Sequence, residues 1–311
     1  FDYYYNKTVD LITDVSLPAS AGFTSYKDNL GETLNKGFDI QFRFDVYRDK
    51  DWNVSLWGNL NHNRNEILKI SDALRAYNER VNEKYAAAED KQDNIHLSEF
   101  GSEYSEPEMK YEEGASLTSI FAIRSLGIDP MTGKELFLYR DGSVSSLWKA
   151  TETVRVGDEE PKASGSFGVN LTYKNLTLFA SFAYDWGKQT YNQTLVDQVE
   201  CVDIRNSNVD RRVLTQRWQK PGDIAPLRNI KDMRTTTMPT SRFVQDDNEL
   251  SLSALTLSYD FNSDWLKKIR LKMLRLELST NDLFKVSTVR LERGTSYPFA
   301  RTFNLSLRAT F

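Results

Sequence analysis

Candidate catalytic residues are sparse in this chain of 311 residues. It has two histidines, His62 and His96, in unrelated contexts, and a single cysteine, Cys201, which can form no internal disulfide. The sequence contains no HExxH, CxxC or GxSxG motif, and it fixes no pair of carboxylates at the separation that glycoside hydrolysis requires. We therefore predict no catalytic site, no metal site and no cofactor, and we expect the protein not to be an enzyme.

Aromatic residues in polar stretches are better candidates for binding. Aromatic rings stack on sugar faces, while nearby amides and carboxylates bond to hydroxyl groups. Trp148, Trp218, Tyr104 and Tyr111 are the natural candidates for contact with an oligosaccharide. The alternative for each ring is packing within a folded loop.

Composition excludes two classes of protein. The net charge of -4 gives no basic footprint of the kind that nucleic-acid binding needs, so we predict no nucleic acid as a partner. The mean hydropathy is -0.55, and no run of about 20 apolar residues could form a membrane-spanning helix. Transmembrane β-strands are compatible with this composition because only every second side chain meets lipid.

Eight segments alternate apolar and polar residues at the period of a strand with one apolar face. In the last of them Phe303, Leu305, Leu307, Ala309 and Phe311 share a face. The segments are, in chain order, 1–8, 34–48, 52–63, 165–173, 176–186, 249–261, 266–284 and 297–311. The alternation slips phase after Leu252 and after Met273, which predicts either a β-bulge or a segment covered on both faces.

The connections between these segments are alternately short and long. Short turns are expected at 49–51, 174–175 and 262–265, and long connections at about 9–33, 65–160, 192–247 and 285–297. Short turns on one rim and long loops on the other are typical of outer-membrane β-barrels. A loop-rich β-sandwich is the alternative, although connections in compact domains are usually short at both ends.

A helix is expected inside the longest connection. Apolar residues recur there at spacings of three and four, and Ser71 is a suitable N-cap. The helix either packs on its own loops or offers a docking surface to a partner protein.

Several segments resemble the C-terminal part of the SusC/RagA family of TonB-dependent outer-membrane transporters. The similar segments are 7–42, "LGIDPMTGKELFLYRDG" at 126–142, 156–187, "RWQKPGD" at 217–223, "LSTNDLF" at 278–284 and the terminal "YPFARTFNLSLRATF". The resemblance implies an all-β fold: an antiparallel transmembrane barrel segment of about eight C-terminal strands from a plugged barrel of about 22 strands, with long extracellular loops.

The resemblance also implies a function and partners. It implies active import of oligosaccharides, or alternatively of peptides, with a SusD-like lipoprotein and the TonB complex, in outer-membrane lipid. We expect residues 1–311 to be the C-terminal part of the barrel, with the plug and earlier strands on the missing N-terminal part. Phe303, Leu305, Leu307, Ala309 and Phe311 resemble the C-terminal signal for barrel assembly. Short turns would be periplasmic. A soluble lectin-like or adhesin β-domain and a passive eight-stranded porin are the competing hypotheses.

Overall fold

The computed structural model describes most of the chain. The described residues are 1–9, 12–16, 25–29, 31–89, 104–202, 204, 208–232, 236–261, 266, 270–290 and 301–310. The predictions for His96, Phe311 and the turn at 262–265 lie outside them.

Strands make up most of the described structure. They are β1 (Asp2–Thr8), β2 (Ile12–Ser16), β3 (Ser25–Asn29), β4 (Gly31–Arg48), β5 (Trp52–Ile70), β6 (Ser119–Ala122), β7 (Arg124–Ile128), β8 (Glu135–Leu138), β9 (Val144–Ser145), β10 (Val154–Asp158), β11 (Ala163–Tyr173), β12 (Leu176–Tyr191), β13 (Val244–Phe261), β14 (Met273–Asn281), β15 (Lys285–Ser287) and β16 (Thr302–Thr310). Helix α1 spans Asp72–Glu89, and shorter helical turns are Ala150–Glu152, Gln193–Leu195, Val196–Glu200, Arg212–Thr215, Ile230–Asp232 and Ser241–Phe243. Among the helices in these ranges, none has the length and apolarity to cross a membrane.

One large antiparallel sheet contains all eight predicted strands. Its order is β1-β4-β5-β11-β12-β13-β14-β16, with β15 pairing on β13. Each strand therefore lies beside its neighbour in the predicted order, and the all-β fold is confirmed. Smaller sheets join β2 to β3, β6 to β10 and β7 to β8 and β9. Two of the short turns are seen, one after Arg48 and one at Lys174, which adopts a positive φ of 54°.

The apolar face of the large sheet is exposed. Leu305, for example, is 72% exposed, and the same face carries exposed residues on most other strands: Phe42, Phe44, Leu56, Phe167, Leu257, Leu278, Phe303 and Leu307. A water-soluble sandwich buries such a face against a second layer. Within the described ranges these side chains stay uncovered, as they do in a sheet whose outer face meets lipid.

Two rows of aromatic side chains bound this face. The row near the short turns holds Tyr47, Trp52, Tyr173 and Tyr259, and the rings of Trp52 and Tyr173 lie 4.3 Å apart. The row near the long connections holds Tyr3, Phe38 and Trp186. Trp52 and the level of Phe38 stand about ten residues apart along β5, about 33 Å at 3.3 Å per residue. Tilted strands reduce this to about 25 Å, the height of an outer-membrane apolar band.

A bulge explains one of the two phase slips. Ser181 pairs with Ala254 and Phe182 with Leu252, so the slip after Leu252 is a bulge at Ser253. The slip near Met273 is neither predicted alternative: β14 begins at Met273, and its pairing is then continuous. A further bulge between Asp45 and Tyr47 was not predicted. It brings Tyr47 opposite Val54 on the apolar face, whereas simple alternation places Tyr47 on the polar face.

Buried apolar clusters lie in the long connections. We call described residues 71–158 and 192–243 the loop assembly. One cluster joins Val81 and Tyr85 of α1 to Phe137, Trp148 and Met238, and others surround Leu74, Val199 and Phe243. Main-chain bonds tie the two connections together, with Ile123 N donating to Pro239 O and Ser241 N donating to Ile123 O.

Candidate functional site

Helix α1 packs on the loop assembly. Ser71 Oγ accepts a bond from Leu74 N at 3.3 Å, so the predicted N-cap is present. Leu74, Val81 and Tyr85 are buried on its apolar face. The amphipathic helix is therefore confirmed, and its apolar face is used for packing within the chain.

Two of the predicted binding residues flank this helix and are buried. Trp148 is 2% exposed; its Nε1 donates to Pro239 O at 2.9 Å, and its ring lies 5.3 Å from that of Tyr85. Tyr111 packs edge-on against Tyr77, with ring centroids 5.6 Å apart. Burial raises the pKa of the Tyr111 phenol.

Trp218 is buried in a separate contact between two segments noted in the sequence. Its Nε1 donates to Pro130 O at 2.7 Å, in the turn of the 126–142 segment. Gly133 in that turn has a φ of +72°, and a Cβ on it would lie 2.5 Å from the Trp218 ring. The turn and the "RWQKPGD" segment are therefore each other's packing partners.

These positions place the rings of Trp148, Trp218 and Tyr111 in packing contacts within the chain, and contact of any of them with a ligand stays a prediction. Stacking on a sugar needs an exposed ring face, and their rings are enclosed by other side chains. Tyr104 is half-buried, with its ring 6.4 Å from that of Tyr85. The structure therefore brings Trp148 and Tyr104 together around Tyr85 and leaves Trp218 elsewhere.

A buried charge network lies behind these rings. Glu200 Oε1 accepts from Arg228 Nε at 3.0 Å and from Arg242 Nη2 at 2.8 Å, and Arg242 Nη2 also contacts Glu135 Oε2 at 2.9 Å. Burial favours the neutral acid, but the guanidiniums of Arg242 and Arg228 outweigh it and hold the pKa of Glu200 at about 2. Glu135 Oε1 accepts further bonds from the hydroxyls of Ser125 and Thr240.

A cavity of about 240 Å³ opens beside this network. Its walls carry two cations, Lys134 and Arg228, and two acids, Glu135 and Asp232, and its apolar wall is formed by Phe137, Leu147, Trp148 and Met238. Thr236 Oγ1, on the same wall, has no hydrogen-bond partner in the described part of the chain. Charges of both signs beside an apolar wall suit a small ligand that carries both charged and apolar groups.

Sequence reasoning missed the members of this network. Glu135, Glu200, Arg228 and Arg242 are far apart in the chain, and no spacing connects them. Cys201 lies at the edge of the network, buried, with its Sγ 3.2 Å from Thr237 Oγ1. Among the residues that the structure describes, no three His, Cys, Asp or Glu side chains are grouped to hold a metal.

No family model matches the chain. Among curated proteins, TonB-dependent receptor P3 of Formosa agariphila is 26% identical over 337 residues, a match that covers 100% of this chain and 32% of the receptor. TonB-dependent receptor P26 of the same organism is 25% identical, again across the whole chain. Along its whole length the chain is similar to TonB-dependent receptors. It spans about a third of the length of these receptors.

Solved structures support the same fold. The structure of the RagAB peptide transporter matches 92% of this chain and 29% of the matched chain, with a TM-score of 0.65 and 24% identity. The RagAB peptide importer in its 'closed-closed' state matches with a TM-score of 0.67 and 23% identity. These matches confirm the fold that the sequence resemblance implied.

Proposed function

We propose that this chain is the C-terminal part of the barrel of an outer-membrane active transporter energised through TonB. The observation that carries the proposal is the exposed apolar face of the sheet, bounded by two aromatic rows about 25 Å apart. Homology across the whole chain to TonB-dependent receptors supports it. Within this proposal the chain has a transport role and no enzymatic one.

The remaining parts of the proposal follow from the same homology. The plug, the earlier strands and the contact with TonB belong to the other two thirds of such a receptor. The long connections face outward and the short turns face the periplasm. Phe303, Leu305, Leu307, Ala309 and Phe311 act as the signal for barrel assembly, for which the exposed outward side chains of β16 are suited.

We propose that the transported substrate is a short peptide. The cavity beside Arg228 offers both a cation and an acid to the termini and side chains of a peptide, and an apolar wall to its side chains. The solved neighbours are described as a peptide transporter and a peptide importer. For the competing substrate, an oligosaccharide, Tyr104 is the predicted binding residue whose ring stays half-exposed. A SusD-like lipoprotein would cover the cavity from outside.

The first experiment tests location and composition together. The protein is extracted from bacterial envelopes with detergent, and its companions and small bound molecules are identified by mass spectrometry. We expect the outer-membrane fraction, a companion lipoprotein and bound peptides. Recovery in the aqueous fraction without detergent would contradict the proposal and support the soluble β-domain, whereas bound sugars would overturn only the choice of peptide.

A pair of variants then tests the cavity. Lys134→Gln with Asp232→Asn removes one charge of each sign from its wall, and we expect peptide retention to fall about tenfold. The matched control, Lys231→Gln with Glu112→Gln, removes the same charges outside the wall and should retain peptide. If both double variants retain peptide equally, the cavity does not bind the transported substrate.

A further inference from the structure

A second cavity of the loop assembly is formed by helix α1, the segment that follows it and the turn at 150–153. Its volume is about 300 Å³, and it shares no lining residue with the cavity beside Arg228. Its charged lining residues are Lys110, Arg140 and Glu112. The other polar groups of its wall are neutral: the amides of Asn78 and Asn82, the phenol of Tyr111 and the hydroxyls of Thr151 and Thr153. Two cations against one acid leave one positive charge in excess.

Lys110 is a cation surrounded by neutral acceptors. Its Nζ donates to Asn82 Oδ1 and to Thr153 Oγ1, both at 2.5 Å, and lies 3.5 Å from Ala150 O. It forms no ion pair with a residue that the structure describes. Burial and the nearby Arg140 lower the pKa of Lys110 to about 8, and no described carboxylate opposes them. A cation withdrawn from water is unstable unless an anion compensates it, and the chain supplies none here.

Arg140 adds a second cation with unused donors. Its Nη2 donates to Thr153 O at 2.6 Å, and its other guanidinium N–H groups form no bond within the described part of the chain. Glu152 is close in the sequence, but its Oε2 accepts from the main-chain N of Arg140 at 2.7 Å, and Glu152 does not line the cavity. The planar guanidinium therefore keeps the paired donors that fit a carboxylate.

The charge of the cavity favours a monovalent anion. Glu112 is exposed, and it is not among the groups that shift the pKa of Lys110. One further negative charge would neutralise the excess in the lining, whereas a divalent anion such as sulfate would reverse it. The volume leaves room for several more atoms attached to a carboxylate.

We propose that this cavity binds the carboxylate of a small organic ligand between Lys110 and Arg140. The guanidinium would donate to both carboxylate oxygens, and the lysine would supply the second positive charge. Asn82 Oδ1 is used by Lys110, so its Nδ2 is left as a donor through which the anion would join α1 to the turn at 150–153. These residues all belong to the loop assembly, so the inference does not depend on the proposed transport.

The test uses the full protein purified in detergent. Hydrogen exchange of the amides at 78–82 and 150–153 measures binding locally, with the sodium salts of acetate, sulfate and chloride compared at neutral pH and equal ionic strength. We expect acetate to slow this exchange roughly tenfold at about ten times its dissociation constant, and sulfate and chloride to slow it by less than about threefold.

Two peptides identify the source of the carboxylate. N-acetyl-triglycine with a free C-terminus and its C-terminal amide differ only in the anion, and we expect the acid alone to bind. An acid that binds about tenfold more tightly than acetate supports a site for a peptide terminus, whereas equal affinities support a site for a free small acid. Equal binding of the acid and the amide would contradict the proposal.

Variants of the two cations test the position of the site. Arg140→Gln and Lys110→Gln should each weaken acetate binding at least about tenfold, because each removes a bond to a charged group. Arg140 is exposed, so its variant tests the site without a change to a buried side chain. Arg140→Lys keeps the charge and should bind acetate within about threefold of the unaltered protein. Lys149→Gln removes an exposed cation outside the lining and is the matched control, with unchanged affinity expected.

A pH dependence separates anion binding by Lys110 from a role in packing. Lys110 loses its proton as the pH rises through about 8, so affinity for acetate should fall about tenfold from about pH 7 to about pH 9. The groups that line the cavity with it keep their charge over this range, since a guanidinium stays protonated and a carboxylate ionised, and burial raises the pKa of Tyr111. Helix α1 contributes only amides to the lining.

Other results would overturn the inference. Equal protection by acetate and chloride excludes a carboxylate site in this cavity. Tighter binding of sulfate than of acetate excludes the choice of a monovalent ligand. An affinity that is unchanged in Arg140→Gln and independent of pH places the bound acetate elsewhere.

Discussion

The large sheet and the loop assembly use apolar residues in opposite ways. On the sheet, phenylalanines and leucines point away from the chain and are exposed, as Phe44 and Leu305 are. In the loop assembly the apolar residues are enclosed, as Trp148 and Phe243 are. Water alone supplies the driving force for the second arrangement. The first needs another apolar medium, and the proposed lipid would supply it.

The charge networks sharpen the comparison. A charge buried in the loop assembly is stable because it is paired, so removing one partner leaves the others without compensation. For Glu200→Gln we expect a loss of about 3 kcal/mol in the stability of the loop assembly, because Arg228 and Arg242 lose their shared carboxylate. Hydrogen exchange of the amides near Arg242 measures it. The exposed control Glu112→Gln should change exchange little, and an equal loss in both variants would contradict the prediction.

A charge placed on the apolar face of the sheet has no such partner. Leu255 lies on that face and Thr256 on the other, so the two neighbours form a matched pair. We expect Leu255→Lys to lower the free energy of unfolding in lipid by about 2 to 4 kcal/mol and Thr256→Lys to change it by less than about 1 kcal/mol. Urea unfolding in lipid vesicles compares them. Equal effects would mean that neither face of this sheet meets lipid.

A third prediction concerns the contact between Gly133 and Trp218. Gly133→Ala forces a Cβ against the indole and into an unfavourable φ, so we expect a loss of about 2 kcal/mol, seen as faster exchange near Pro130. Gly142 also has a positive φ, but its Cβ would meet nothing within 4 Å. Gly142→Ala should therefore cost only about 1 kcal/mol. If Gly142→Ala destabilised the protein as much as Gly133→Ala, the loss at Gly133 would come from backbone strain and not from contact with the indole.

The smallest effect is a pH dependence confined to the loop assembly. Burial lowers the pKa of Lys110 to about 8 from its ordinary 10.5, helped by Arg140. Between these values the unfolded chain binds more protons than the folded one, so stability should rise with pH, by about 1 kcal/mol from about pH 7.5 to about 9. Thermal unfolding at several pH values measures the slope. Lys110→Met should remove it, and a slope that persists in that variant would assign it to another group.

The sheet could be predicted from the sequence because strand alternation is a local signal. All eight strands and their neighbours followed from it, together with the bulge near Leu252. Simple alternation places Tyr47 on the wrong face because its bulge leaves no mark in the sequence. The packing of Trp148 depends on Pro239, which is distant in the chain, so the sequence could not show how far this ring is buried. The ion network around Glu200 was invisible for the same reason.

The joining of the two long connections at Ile123, Pro239 and Ser241 has a consequence for how such chains diversify. Each connection supplies half of a shared interior, so neither can be exchanged for that of a relative without exposing the half left behind. A chimaera that transfers 71–158 alone would inherit a mismatched partner, whereas one that also transfers 192–243 would keep the fit. The two segments therefore form a single unit of inheritance, although the chain runs through β11 and β12 between them.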